Sequence, residues 1–392
     1  MTDPPPANVP IYRLGELIRY FLYLGSFGFG GPVALVGYMH RDLVERKGWI
    51  SDDEYREGLA LANLSPGPLA AQLGIYLGFV HYRFLGATLV AGAFILPSFL
   101  LVVAAGWAYV RFGGLPWMQA VFYGVGAAII GIIAWSAFRL TSKTMGRDPL
   151  LWIIFGVMAV VTAITETERI ELFPLAGLAV WAARSPRLRQ AIRRTGAALL
   201  LPIPLFSQTD GSGSSSELGD IFWYFLKAGA FVFGSGLAIV PFLYGGVVGG
   251  FGWLDDQQFL DAVAVAMLTP GPVVITTGFI GYLVAGLPGA VIASVATFLP
   301  AYLLTVFPAP YFRKHGSRPA LAAVVDGVTA AAIGAIAGAV VVLGRRAIVD
   351  LPTALLAIAA LTALWRTRRL PELVVILMAA AAGLALFPTF GT

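Results

Sequence analysis

Four short glycine- and proline-rich motifs interrupt apolar stretches of the chain. They are FGFGGP at 27–32, SPGP at 65–68, FVFGSG at 231–236 and TPGP at 269–272. In each motif small residues precede an apolar run, a pattern that favours a helix beginning within the membrane. Such a helix end presents unpaired N–H groups and a partial charge of about +0.5. Four ends facing one cavity would supply about +2 and would suit a dianion.

Residues of these motifs, and uncharged donors beside them, are the candidate anion ligands. Proline needs no N–H partner at a first helical position, and Ser65 and Thr269 are predicted N-caps. The alternative is that such small and polar residues serve close packing between membrane helices. The candidate substrate-binding residues are Gly28, Phe29, Gly30, Gly31, Pro32, Ser65, Pro66, Gly67, Pro68, Gln72, Gly234, Ser235, Gly236, Thr269, Pro270, Gly271, Pro272, Thr276 and Thr277.

Four charged residues near the motifs are further candidates. Lys227 precedes the third motif and either faces the bound anion or extends to the membrane surface. Glu57 and Asp261 precede the second and fourth motifs and are candidates for proton coupling, although a carboxylate there also favours a helix N-terminus. Asp326 is a third coupling candidate, unless it starts a helix near the membrane surface.

The composition requires a membrane around these motifs. Only 12% of the 392 residues are charged, against roughly 25% in ordinary globular proteins, and 58% are apolar. This excludes a soluble enzyme and predicts an all-α integral membrane protein with the lipid bilayer as its partner. Cysteine is absent and the three histidines are scattered, so we expect no metal site and no cofactor. The modest positive charge indicates membrane-surface contacts, not nucleic-acid binding.

The chain is an internal duplication. The first motif matches the third, and the second matches the fourth, at an offset of 204 residues. Further along, Leu96-Pro97 matches Leu299-Pro300 at an offset of 203. We therefore predict one repeat over residues 1–183, a second over 219–392, and a basic linker rich in Ser and Gly over 184–218.

Each half contains six hydrophobic segments. The second segment of each half is cut by SPGP or TPGP into pieces too short to cross singly, so it is either a broken spanning helix or a re-entrant pair. With a re-entrant pair, the basic loops of the first half lie on one side of the membrane and those of the second half on the other. Arg345-Arg346 is the exception. This pattern predicts two inverted-topology repeats with broken or re-entrant helices and about ten crossings.

Four long segments carry a family resemblance: FGGP at 29–32, SPGPLAAQLGIYLG at 65–78, FLKAGAFVFGSGLAIVPFL at 225–243 and TPGPVVITTGFIGYLVAG at 269–286. They resemble the chromate ion transporters in their long, two-domain form. The resemblance implies chromate efflux from the cytoplasm across the bacterial inner membrane, with sulfate as a related oxyanion. Many relatives resemble this chain but carry a basic residue where it has Tyr23, the repeat partner of Lys227.

These observations predict a transporter that binds an oxyanion between broken helices and exposes it alternately to each side. One alternative is a sulfate or other oxyanion carrier that handles chromate incidentally. An alternative of another class is an intramembrane enzyme or scaffold, which would need a catalytic His, Asp or Glu cluster at membrane depth. The chain has no GxxxxGK[ST] motif for ATP. Proton coupling, anion exchange and homodimer formation all stay open.

The opposite loop charges of the two halves are testable with single cysteines, because the native chain has none. We expect cysteines at Glu45 and Gly249 to be labelled by an impermeant thiol reagent from opposite sides of the membrane. Labelling of both positions from the same side would contradict the inverted-repeat prediction.

Overall fold

The computed structural model of the protein describes residues 12–390 apart from 30, 113–114, 167–170, 186–215, 231, 233–235, 237–238, 316–318 and 368–369. Within this part of the chain every regular element is a helix, which confirms the all-α prediction. Most of the predicted linker lies outside the described residues.

The helices of the two halves follow one another in the same order. The first half contains α1 (Leu14–Phe27), α2 (Gly31–Met39, continued by a π-helical stretch His40–Arg46), α3 (Asp52–Leu64), α4 (Leu69–Phe112), α5 (Pro116–Thr144), α6 (Pro149–Thr165) and α7 (Leu172–Arg184). The second half contains α8 (Glu217–Ala230), α9 (Ile239–Tyr244, continued by a π-helical stretch Gly245–Gly250), α10 (Asp256–Leu268), α11 (Thr276–Val306), α12 (Ala309–His315), α13 (Pro319–Ala347), α14 (Leu351–Arg366) and α15 (Glu372–Phe390).

In the described part of the chain, four helical stretches are long and apolar enough to cross a membrane. They are α4, α5, α13 and the stretch Val273–Phe312 that contains α11. The helices α6, α7, α14 and α15 are also apolar but shorter. Many large apolar side chains, such as Trp107 and Ile164, are exposed on the outside, where lipid would cover them. The structure is therefore that of a multi-pass membrane protein.

The two longest helices each reverse direction. In α4 the reversal is at Arg83, which has φ 53° and ψ −144°, and in α11 it is at Gly286, which has φ 61°. A Cβ added to Gly78 would lie 2.6 Å from the carbonyl oxygen of Gly86. Residues eight apart in a straight helix are separated by about 12 Å, so α4 must fold back on itself.

The part of α4 before this bend, residues 69–82, forms a re-entrant pair with α3. His81 lies at the end of this part, and its Nε2 atom is 3.2 Å from Oε1 of Glu54 in the first turn of α3. A single broken helix crossing the membrane would hold these residues about 40 Å apart. In the first half the chain therefore returns to the side from which α3 starts, which is the re-entrant one of the two arrangements that the sequence left open.

The long helices α5 and α13 hold the two halves together, because each packs against a helix pair of the opposite half. α5 packs against α14 and α15, and α13 packs against α6 and α7. A Cβ at Gly124 of α5 would lie 2.1 Å from the Ala379 carbonyl oxygen, and one at Gly327 of α13 would lie 2.4 Å from that of Ala176. Gly124 and Gly327 are equivalent at the offset of 203, so both contacts are made in the same way.

An ion cluster fixes one of these contacts between the halves. Arg184, the last residue of α7, donates to Oδ2 of Asp326 at 2.5 Å and to Oδ2 of Asp148, the N-cap of α6, at 2.9 Å. The Arg184 guanidinium lowers the pKa of Asp148. At the equivalent place in the other contact, the hydroxyl of Tyr123 donates to Asp350. Asp326 lies seven residues after the start of α13 at Pro319. Its ion pair with Arg184 explains why a carboxylate occurs at this position in the helix.

Carboxylates also form ion pairs with Arg346, which belongs to the Arg345-Arg346 exception to the loop-charge pattern. Arg346, near the end of α13, donates to Oδ2 of Asp256 at 3.0 Å and to Oε2 of Glu166 at 3.1 Å. Asp256 begins α10, and Glu166 ends α6. Two acidic groups thus hold this arginine on a side otherwise poor in basic loop residues.

Two glycines of α5 offer a matched test of the contact between the halves. We expect Gly124→Ala to lower the melting temperature of the purified protein in detergent and Gly126→Ala to leave it unchanged or raise it. A methyl group at 124 would meet the Ala379 carbonyl oxygen, whereas nothing lies within 4 Å of the position at 126. Both variants gain the same helix propensity, about 1 kcal/mol, so their difference isolates the packing. Equal melting temperatures would contradict the close approach.

Candidate functional site

The four motifs meet in pairs, at two equivalent places where one half of the chain contacts the other. We call these two contacts the crossings; the word does not refer here to passages through the membrane. The Gly67 N–H of the second motif donates to the Val232 carbonyl of the third at 2.5 Å. The Gly271 N–H of the fourth motif donates to the Gly28 carbonyl of the first at 3.1 Å. Each of these residues lies 204 positions from its counterpart in the other crossing. The motifs found in the sequence are thus brought together, two by two.

Both crossings require glycine as the donor. Gly67 has φ 143° and Gly271 has φ 94°, values that L-residues rarely adopt. A Cβ on Gly67 would lie 2.6 Å from the Cβ of Ala301, and one on Gly271 would lie 2.2 Å from Oγ of Ser98. Even one methyl group would therefore force the two halves apart.

Ser98 and Ala301 are site residues that the sequence reasoning missed. The buried Ser98 hydroxyl donates to the Pro270 carbonyl at 2.6 Å. Ser98 lies 172 positions from Pro270, and Ala301 lies more than 200 positions from Gly67, so neither residue stands out by spacing from the motif that it contacts. The duplication is the feature of the sequence that could have identified them, because each residue directly follows the matched Leu-Pro pair at 96–97 or 299–300.

The prediction that Ser65 and Thr269 are N-caps is wrong. They are the C-cap residues of α3 and α10, and their hydroxyls donate to the carbonyls of Leu304 at 3.2 Å and Ala266 at 2.9 Å. The reason is that these motifs join two helices, so the first helix must end before the next begins at Leu69 or at the short 3₁₀ turn Val273–Ile275.

The prolines of the second and fourth motifs lie before the following helix. Pro66 and Pro68 precede Leu69, the first residue of α4, and Pro272 is the N-cap of the 3₁₀ turn. These positions differ from the predicted first helical position. In the first motif Pro32 lies in the first turn of α2, one residue after the helix start at Gly31, which has φ 74°.

The first and third motifs are only partly described. Gly28 is buried and Phe29 is half-buried. In the third motif Gly236 is buried beside Val274. Gly30, Gly234 and Ser235 lie outside the described residues.

Gln72 is the polar side chain at the crossings with unused hydrogen-bonding capacity. It is fully buried, its Nε2 donates to the Pro66 carbonyl at 2.8 Å, and its Oε1 has no partner among the described residues. The equivalent residue, Thr276, and its neighbour Thr277 instead donate to the carbonyls of Val273 at 2.7 Å and Val274 at 3.1 Å. The unpartnered Oε1 is an acceptor, so an anion would be met by the second hydrogen of Nε2, which the described hydrogen bonds leave unused.

Lys227 lies on the exposed face of α8. The buried face of this helix carries Phe225 and Ala228, while Lys227 shares the outer side with Trp223, whose side chain is 60% exposed. Tyr23, its repeat partner, is 61% exposed and packs beside Phe27. This placement favours the alternative in which Lys227 extends to the membrane surface.

Asp261 and Glu57 occupy equivalent helices but different surroundings. Asp261 is 3% exposed and accepts hydrogen bonds from the Tyr109 hydroxyl at 2.7 Å and from Nε2 of Gln257 at 2.9 Å. Glu57 is half-buried in α3. Asp261 lines a cavity of about 660 Å³ at the start of α10, which we call the α10 vestibule; its polar lining residues are Tyr109, Gln119, Tyr123, Asp255, Gln257, Gln258 and Asp261.

No group of three or more His, Cys, Asp and Glu side chains that could hold a metal ion occurs in the described part of the chain. The site is thus built from backbone groups, small residues and one buried amide, with carboxylates gathered in the α10 vestibule. Such an arrangement can bind and release a polar solute.

The chain is similar to several known transport proteins. The chain is 63% identical to the chromate transport protein of Cupriavidus metallidurans, with 99% of each chain covered. It is 61% identical to the probable chromate transport protein of Synechococcus elongatus, covering 95% of this chain and 96% of the relative. It is 30% identical to the chromate transport protein of Pseudomonas aeruginosa, covering 99% of this chain and 95% of the relative.

No solved structure matches the chain. The family model described as chromate transporter matches residues 15–183 and 219–384. Two matches that together cover most of the chain, with helices apolar enough to span a bilayer, identify a multi-pass inner-membrane protein. The chain belongs to the chromate transporter family.

Proposed function

We propose that the protein exports chromate from the cytoplasm across the inner membrane by alternating access. The observation that carries the proposal is the pair of equivalent crossings, Gly67 to Val232 and Gly271 to Gly28, in which each half closes on the other. The proposed substrate is taken from the relatives, which are named chromate transport protein and probable chromate transport protein. No covalent step is part of the proposal.

Antiparallel packing of equivalent helices supports an inverted-repeat mechanism. The hydroxyls of Thr88 in α4 and Tyr302 in α11 are 2.8 Å apart, and the rings of Phe84 and Phe307 lie 6.4 Å apart. Because the lower number in α4 meets the higher number in α11, the two helices run in opposite directions. In inverted repeats, exchanging the conformations of the two halves turns a site open to one side into a site open to the other.

The anion binds where a crossing opens. When Gly67 releases the Val232 carbonyl, its N–H becomes free, and an oxyanion oxygen takes the place of the carbonyl as acceptor. The first turn of α4 adds N–H groups and the positive end of its helix dipole. Gln72 supplies an amide beside the same position, and the small side chain of Ala301 leaves room for approach.

The glycines of both crossings give a sharp test of this site. We expect Gly67→Ala and Gly271→Ala each to abolish chromate uptake into inside-out membrane vesicles, because a methyl group prevents the crossing from closing. Gly249→Ala is the matched control, since nothing lies within 4 Å of that position. Size-exclusion chromatography would establish that the variants still fold. Normal chromate uptake by both crossing variants would rule out the proposed site.

The substrate is tested with purified protein in liposomes. We expect labelled chromate to be transported and unlabelled sulfate to compete only weakly. Both ions are tetrahedral dianions, so their competition reports how closely the site fits the ion. Sulfate transport faster than chromate transport would favour the alternative of a sulfate carrier. Failure to move either ion would contradict the proposed function.

A further inference from the structure

Asp261 is a buried carboxyl group with hydrogen-bond donors but no cation. The Tyr109 hydroxyl donates to Oδ2, and Nε2 of Gln257 donates to Oδ1. In the described part of the chain no arginine, lysine or histidine forms an ion pair with it. Taking an unpaired carboxylate out of water is unfavourable, and such a group is stabilised by binding a proton.

The charged groups on neighbouring helices do not compensate this carboxylate. Asp255, on the same vestibule wall, adds a second negative charge. Arg346 of α13 is held by Asp256 and Glu166. The other titratable groups nearby are Tyr109 of α4, Tyr123 of α5, which donates to Asp350, and the exposed Arg111 of α4, while α11 and α15 contribute the apolar Leu283 and Phe387.

The α10 vestibule has the wrong charge for the transported anion. Two aspartates and three glutamines line it, and no lysine or arginine is among its lining residues. A dianion would be repelled, whereas a proton would be attracted. A metal ion would need several oxygen ligands, but Tyr109 and Gln257 direct hydrogen-bond donors at the carboxylate. The proton is therefore the occupant that this chemistry fits.

We propose that Asp261 is the proton-binding residue that couples proton entry through the α10 vestibule to anion exit; this inference rests on the proposed function. The Asp261 carboxylate takes a proton from vestibule water and becomes a carboxylic acid, and it releases that proton to the opposite side after the halves exchange conformations. The loop-charge pattern places the vestibule on the side away from the cytoplasm. Protons then enter while the dianion leaves, so both movements run with a membrane potential that is negative inside.

The position of Asp261 links its proton to the crossing. It lies eight residues before Thr269, about 12 Å along α10 from the fourth motif. Its partner Tyr109 belongs to α4 of the opposite half. Loss or gain of the proton therefore changes a contact between the halves on the same helix that leads to the Gly271 crossing.

The test uses purified protein in liposomes that contain chromate and the pH dye pyranine. Outward movement of chromate should acidify the lumen with the wild type. Asp261→Asn should still exchange labelled for unlabelled chromate, but its lumen pH should stay at the level of empty liposomes. Asp255→Asn is the matched control, because it removes a charge from the same vestibule while asparagine still caps α10, and it should acidify the lumen like the wild type.

Three results would overturn the inference: acidification that persists in Asp261→Asn, acidification lost equally in Asp255→Asn, or chromate movement driven by a sodium gradient and not by a proton gradient. If the wild type moves no chromate at all, the proposed function fails, and infrared spectroscopy of the purified protein still decides the proton site. The band of a protonated carboxyl group should titrate in the wild type and be missing in Asp261→Asn. Identical spectra would remove Asp261 as a proton carrier.

Discussion

Two backbone hydrogen bonds between the halves are the constraint on which the rest of the structure depends. Gly67 and Gly271 can donate to the opposite half only because neither has a Cβ and both have positive φ. The small residues Ala301 and Ser98 fill the space against them. Breaks in membrane helices expose backbone groups that lipid cannot satisfy. Here each half supplies a carbonyl acceptor for the broken backbone of the other.

Helix pairs of each half pack against a long helix of the other half: α14 and α15 against α5, and α6 and α7 against α13. Helices α5 and α13 each pack against two helices of the opposite half through closely packed glycines, such as Gly124 and Gly327. Between membrane helices, where lipid is as apolar as the side chains, such close approach replaces the hydrophobic effect as the source of stability. The Arg184 cluster and the Tyr123–Asp350 hydrogen bond then fix the ends of the two contacts.

The crossings and the α10 vestibule carry different polar groups. The crossings carry backbone donors and the amide of Gln72 but no carboxylate. Asp255 and Asp261 lie in the α10 vestibule, while Asp148 and Asp326 are paired with Arg184, and Asp256 and Glu166 are paired with Arg346.

The sequence by itself determined the helical membrane class, the duplication and the four motifs, because composition and a repeat offset are local or additive properties. It also led to the family, through long matching segments. Only the tertiary structure decided that α3 folds back against residues 69–82, since the reversal is seen in contacts such as that of Glu54 with His81. The same holds for Ser65, which ends a helix instead of beginning one. The roles of Ser98 and Asp261 depend on partners more than 150 residues away, and contacts at that range are set by packing and leave no spacing to detect.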